Sequence, residues 1–204
     1  MDNKWPKKPP ILTEEQKRIK ADFMKYWHEV LPAKYNMIER FNHGFPVKNC
    51  QPGGKTLEIG AGLGEHIKYE NLAGVDYYAL EILPEMAEVI KERHPQVKVV
   101  VGDCAKEMPF EKDYFDKVIA IHVLEHLADL PAALSGIQRV LKPTGEFCAI
   151  IPCEGGWLYA LAREISAKRI FVKRYKMRYD WLIKTEHVNK PREIIFELKK
   201  KFEI

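Results

Sequence analysis

"KTLEIGAGLGEH", residues 55–66, decides the fold. An apolar run carrying one acid, Glu58, is followed by Gly60, Gly62 and Gly64. That is the pattern of a strand running into a bare-backbone turn, where an open α/β sheet lets a ligand approach its main chain. A dinucleotide fingerprint, G-x-G-x-x-G, would place its third glycine one residue later, where Glu65 stands. The turn therefore fits NAD poorly. Taken alone it is equally a structural turn, because glycine is used wherever φ must be positive.

Working outward, "QPGGK" at 51–55 is a breaker cluster that opens the core. After it, strand-like runs alternate with helical patterns. The strands are "TLEI", "YYALE", "VKVVVGD", "FDKVIAIH" and "GEFCAIIP"; the helices fall at 64–69, 84–94 and 130–141, with a short turn over 105–109. Strands alternating with helices mean βαβ units and a mainly parallel sheet, a Rossmann-like, doubly wound α/β fold. On the amino-terminal side, Thr13 reads as an N-cap for a helix over 13–31, and Pro32 separates it from a second over 33–43. On the carboxyl-terminal side, Trp157, Leu161 and Ile165 form an apolar stripe, a helix follows Pro191, and the final "FEI" reads as the opening of a sixth strand. The chain thus divides into a leader with lid helices (1–50), a core (51–152) and a helical cap with the start of strand six (153–204), in one structural domain. The final strand or strands are missing from this pattern.

The ends of the next two strands carry acids. Glu81 follows the glycine turn by about twenty residues, where a carboxylate accepts the hydroxyls of a ribose. Asp103 ends the third strand, placed to accept from an exocyclic amine, with the backbone N–H of Cys104 or Ala105 facing a ring nitrogen. Three strand ends together describe one adenosine.

Residues 55–152 resemble the class I S-adenosylmethionine-dependent methyltransferases, in particular the small-molecule, type 11-like group. The resemblance rests on "LEIGAGLG", "LEILPEM", "GDCAKEMPFEKDYFDKVIAIHVLEHLADL" and "RVLKPTGEF", in the family's order and spacing. It implies a seven-stranded sheet whose last strand is antiparallel, with S-adenosylmethionine across the strand ends and S-adenosylhomocysteine as its product. Glu58, Gly60, Ala61, Gly62 and Gly64 would face the methionine part, Glu81 the ribose, and Asp103, Cys104 and Ala105 the adenine. Ile82 would pack on the base, and His122 would lie next to the sulfonium. The cofactor's amino-acid end agrees with a glycine turn that is no phosphate cradle.

His122 and His126, in "IAIHVLEHLADL", are candidates for a general base, since imidazole titrates near neutrality. The alternatives are a cofactor contact for His122 and a loop-holding role for His126. His187, in "TEHVNKPREII", reads as a structural cap. Sequence spacing shows no metal motif: Cys50, Cys104, Cys148 and Cys153 form no CxxC pair and read as reduced thiols.

The 204 residues are 46% hydrophobic and 30% charged, with a net charge of +4. No run approaches the length of a membrane span, and the amino terminus lacks a secretory h-region, so the expectation is a cytoplasmic protein. From Arg163 onward there are thirteen Lys and Arg against six Asp and Glu, and six of the basic residues lie between Lys168 and Arg178 among aromatics. Placed on a substrate lid, that tract suggests an anionic acceptor. The function expected is methyl transfer to a small anionic molecule at oxygen. The rivals are an RNA or protein methyltransferase that uses the 168–178 tract, and a non-catalytic cofactor-binding homologue. A ragged sheet edge would favour a homodimer.

Overall fold

The structure is a computed structural model that describes residues 5–34, 36–50, 53–152 and 167–204, with the backbone alone over 27–34 and 36–39. Five strands form one sheet: β1 (Lys55–Ile59), β2 (Asp76–Glu81), β3 (Lys98–Val101), β4 (Phe115–Ile121) and β5 (Leu141–Ile150). Their order is β3-β2-β1-β4-β5, and every neighbouring pair is parallel. Ile59 is level with Leu80 and Ala120, Glu81 with Val101, and Ile121 with Ile150. All carboxyl ends therefore open on one edge, and the chain reverses its direction of winding between β1 and β4. A crevice at that switch point follows from topology alone.

Strands covered on both faces bury side chains on both: β4 carries the apolar run from Val118 to Ile121, and β1 is buried from Thr56 to Ile59, Glu58 included. One face carries α3 (Pro84–Arg93), with proline in its first turn, Glu85 beside it and Lys91 and Arg93 in its last turn, each favoured there by helix geometry and dipole. Its Ile90 joins a buried cluster with Ile67, Tyr77, Ala79 and Val97. Against the other face lies α4 (Leu130–Val140), capped by Asp129, whose carboxylate accepts from the Ala132 N–H at 3.2 Å. Leu130, Ala133, Leu134, Ile137 and Val140 recur at helical spacing and are all fully buried. They share a core with Leu57, Phe115, Val118 and residues Ile194 and Leu198 of the last helix, α7 (Pro191–Leu198).

A second, smaller core makes the cap. α1 (Glu14–Lys34) meets α5 (Arg169–Tyr175) and α6 (Asp180–Glu186) through buried Phe23, Phe171, Tyr179 and Leu182, the rings of Phe23 and Phe171 edge to face at 5.1 Å. Its rim is tied by Arg174 to Asp22 at 3.1 Å, by the Tyr175 hydroxyl to the same carboxylate at 2.6 Å, and by Lys20 to Glu186 at 2.6 Å.

Several expectations are corrected. α1 runs past Pro32, and α2 (Asn36–Asn49) continues through Pro46, so neither proline ends a helix. Pro46 forfeits only its own N–H; its carbonyl still accepts from Cys50 N–H at 3.0 Å. The helix expected over 64–69 is only a 3-10 turn, Ile67–Tyr69, because Gly62 and Gly64 hold the preceding chain at φ of 58° and 81°. β5 starts four residues before the expected Gly145. Its register jumps from Phe115 opposite Leu141 to Lys117 opposite Glu146, so a bulge at 142–145 lets the strand begin directly from α4.

The "FEI" segment opens no sixth strand: it follows the turn after α7, with Phe202 packed on Phe147 at 5.2 Å, and among the described residues the sheet has five strands, without the final ones of the seven that the resemblance implies. Cys50 and Cys148 are joined in a disulfide, against the expectation of reduced thiols, which ties the end of α2 to β5. The 98 residues between them hide a proximity that only the fold creates. Cys104 is a buried free thiol, as expected. Cys153 and the Trp157, Leu161, Ile165 stripe lie outside the described residues.

Candidate active site

Gly60, Gly62 and Gly64 all have positive φ, at 64°, 58° and 81°. A Cβ on Gly60 would stand 2.6 Å from a Val123 methyl, so this position requires glycine for space as well as for conformation. Glu81, at the end of β2, is 4% exposed and ties the turn down: one carboxylate oxygen accepts from Gly62 N–H at 2.8 Å and the other from Leu83 N–H at 3.0 Å. Each oxygen keeps a second lone pair, which a diol can use. Directly after it, Ile82 and Leu83 are 57% and 41% exposed. An uncovered apolar pair beside a fixed carboxylate suits a flat heterocycle attached to a ribose.

Asp103 follows β3, its carboxylate accepting from Ala105 N–H at 2.9 Å. Cys104 points inward, and burial pushes its thiol up to about 12, so it remains protonated and packs as a small apolar residue. Ala61 is buried at the head of the turn. Glu58 lies beneath it, 3% exposed, accepting from the Tyr77 hydroxyl at 2.9 Å. Burial pushes its carboxyl up to about 8, despite the hydrogen bond from Tyr77 and with added repulsion from Glu65, Glu70 and Glu81. Glu58 thus supports the turn from within the protein.

His122 ends β4 with φ of 54°, a left-handed conformation held by its N–H donating to Ile150 O at 2.9 Å. Its Nδ1 is 3.2 Å from Glu125 Oε1 and its Nε2 is 3.0 Å from Asn42 Nδ2. The Glu125 side chain is 1% exposed. Burial raises its carboxyl, but the hydrogen bond from His122 and the nearby imidazoles outweigh that and hold it below the ordinary value, so it is ionised at neutral pH. An ionised carboxylate only accepts, so Nδ1 carries the proton and Nε2 presents a lone pair to the Asn42 amide. Sequence reasoning missed both partners: Glu125 lies inside the quoted "LEH" without having been singled out, and Asn42 comes from α2, with no motif around it.

His126 and His187 meet beyond this pair, their rings edge to face at 5.1 Å. His126 Nδ1 is 2.7 Å from the Glu186 carbonyl, which fixes the proton on that nitrogen. Burial holds the ring below its ordinary value, so it is neutral at pH 7. Asn189, fully buried, locks the two segments together: its amide donates to Leu124 O at 2.8 Å and Leu127 O at 2.7 Å, and its N–H to Glu125 O at 3.0 Å. Facing the glycine turn from α2, His43 stacks on Tyr69 at 5.5 Å, and burial with the neighbouring His66 pushes it down to about 3.

Residues 57–149 match the methyltransferase-domain family. An uncharacterized methyltransferase of Synechocystis is 33% identical over 156 residues, which are 68% of this chain and 72% of that protein. A sterol 4-C-methyltransferase of Caenorhabditis elegans is 36% identical over 97 residues (45% and 29% of the two chains). A demethylmenaquinone methyltransferase of Renibacterium salmoninarum is 34% identical over 95 residues (47% and 40%). Among solved structures, a SAM-dependent methyltransferase of Thermotoga maritima shares the fold with a TM-score of 0.65 at 19% identity, covering 92% of this chain and 81% of that one. The fold and site thus define a class I, S-adenosylmethionine-dependent methyltransferase. The chain belongs to the methyltransferase-domain family. It spans less than half the length of its sterol and menaquinone relatives.

The residues present fit S-adenosylmethionine. The bare turn, the spare lone pairs of Glu81, the uncovered Ile82 and Leu83 and the carboxylate of Asp103 succeed one another along one edge. Bound there, the cofactor supplies an electrophilic methyl group on a sulfonium. The protein's own part would be to position an acceptor, keep water out, and take up a proton where the acceptor must lose one. Among the described residues no helix is long and apolar enough to cross a membrane.

Proposed function

We propose that the protein transfers a methyl group from S-adenosylmethionine to an oxygen of a small molecule, with His122 as the proton acceptor. The observation that carries this reading is the tautomer of His122. A buried Glu125 fixes the proton on Nδ1 and leaves Nε2 as a base at the carboxyl end of β4, next to the glycine turn. Its present partner, Asn42, sits on a lid helix, so an acceptor hydroxyl takes the place of that amide when the lid admits it. Gly60, Ala61, Gly62 and Gly64 would hold the methionine part, supported from below by Glu58. Glu81 would hold the ribose, and Ile82, Asp103, Cys104 and Ala105 the adenine.

The positively charged cap supports an acceptor bearing an anionic group, although Arg174 and Arg178 are already answered by Asp22 and Asp180. Against the RNA alternative, Phe171 of the basic tract and Tyr179 directly after it are buried in the cap core and offer no face to a nucleobase. The test is transfer of labelled methyl from S-adenosylmethionine to three acceptor panels: hydroxylated carboxylic acids and phosphates, amines, and RNA. Label in an oxygen of the first panel is expected. Label in amines or RNA alone would overturn the reading.

A further inference from the structure

Glu125, His126 and His187 present a carboxylate oxygen and two imidazole nitrogens that all lie within 4.8 Å of one another. The arrangement has an electrostatic oddity. The proton of His126 is on Nδ1, held by the Glu186 carbonyl, so its Nε2 lone pair faces the carboxylate oxygen Oε1 of Glu125 at 4.0 Å. Two acceptors confront each other. The other oxygen of Glu125, Oε2, is buried with no hydrogen-bond partner among the described residues, on a side chain that is 1% exposed. A buried carboxylate oxygen is ordinarily paired by a hydrogen bond or bound to a metal.

We propose that Glu125, His126 and His187 bind one divalent first-row transition metal ion, with Zn²⁺ the best match to two imidazoles and one carboxylate. The surroundings are those of a prepared site. The second ring nitrogen of His126 donates to a backbone carbonyl, Oε1 of Glu125 is occupied by His122, and Asn189 clamps the 124–127 turn to the segment that carries His187. Outer hydrogen bonds of this kind orient metal ligands. Three protein ligands leave a coordination position open to solvent or to an acceptor oxygen. Because Glu125 touches both the ion and His122, the ion would sit beside the acceptor and draw in an oxygen-bearing group; this second half rests on the methyl-transfer reading, whereas metal binding does not.

The experiment is equilibrium dialysis of the chelator-stripped protein against Zn²⁺ and, separately, Co²⁺, without reductant so that the Cys50–Cys148 disulfide stays closed. One ion per chain is expected, with visible d–d absorption for Co²⁺. His126→Ala and His187→Ala should each weaken binding at least about tenfold, with folding followed by thermal melting, while Cys50→Ser should leave binding unchanged. If either histidine variant fails to fold, Glu125→Gln, which keeps the side chain's size, replaces it with the same expectation. No stoichiometric ion in the wild-type protein, equal affinity in the folded variants, or loss in Cys50→Ser alone would overturn the proposal. Calorimetry with S-adenosylhomocysteine on metal-free wild-type protein reports separately on the cofactor reading.

Discussion

His122 combines a left-handed backbone, a buried acid on one ring nitrogen and an amide on the other. Asparagine tolerates that backbone better than most residues but has no basic nitrogen. His122→Asn should therefore lower kcat by about 10²- to 10⁴-fold while S-adenosylhomocysteine affinity stays nearly constant. Single-turnover kinetics beside calorimetry separate the two effects, and a parallel loss of affinity would make His122 a cofactor contact only. At the same scale, Glu58 and His43 predict a pH profile for stability. The folded pKa of Glu58 is raised to about 8, so its contribution is present at low pH and is lost as pH rises toward 8. His43 is depressed to about 3, so its contribution is present above its ordinary value near 6.5 and is lost as pH falls toward 3. Thermal melting should show stability falling on both sides of weakly acidic pH, and Glu58→Gln should flatten the loss between about pH 6.5 and 8.

Among the elements, the turn after β4 and the segment before α7 act as one unit through Asn189. Asn189→Ala removes two side-chain bonds and strands the buried Leu124 carbonyl and the half-buried Leu127 carbonyl, costing about 1–3 kcal/mol for the buried one and less for the other. The melting temperature should drop by several degrees, roughly 2–4 °C per kcal/mol for a chain of this size, with kcat reduced because Glu125 loses its fixed position. An unchanged melting temperature would contradict the clamp. This unit also shows what sequence could and could not convey. "HVLEH" announced histidines at a strand end, but the pairing of Glu125 with His122 depends on a 3-10 turn, and the approach of His187 spans more than sixty residues of chain. Asn42 gave no signal, because a polar residue on an amphipathic helix is ordinarily just solvated.

At the scale of the whole molecule, the parallel sheet and the placement of Glu81 at the end of β2 and of Asp103 just after β3 were legible, because strand runs alternate with helices. What escaped was tertiary in origin. Pro32 was expected to separate helices where α1 instead runs past it, the second helix was expected to end at 43 and continues to Asn49, the bulge at 142–145 advanced β5, and the Cys50–Cys148 link joins positions that no spacing rule connects. The aromatic and basic 168–178 tract read as a surface, whereas Phe171 with nearby Tyr179 is the core of a cap whose other half, α1, is remote in sequence.

If the carboxyl edge of β1 to β4 holds S-adenosylmethionine, calorimetric titration with S-adenosylhomocysteine will register it. One molecule should bind per chain, and Glu81→Ala and Asp103→Ala should each weaken binding by about tenfold or more, the loss of a charged hydrogen-bond acceptor. Absence of binding to the wild-type protein, or the same affinity in both variants, would contradict the account.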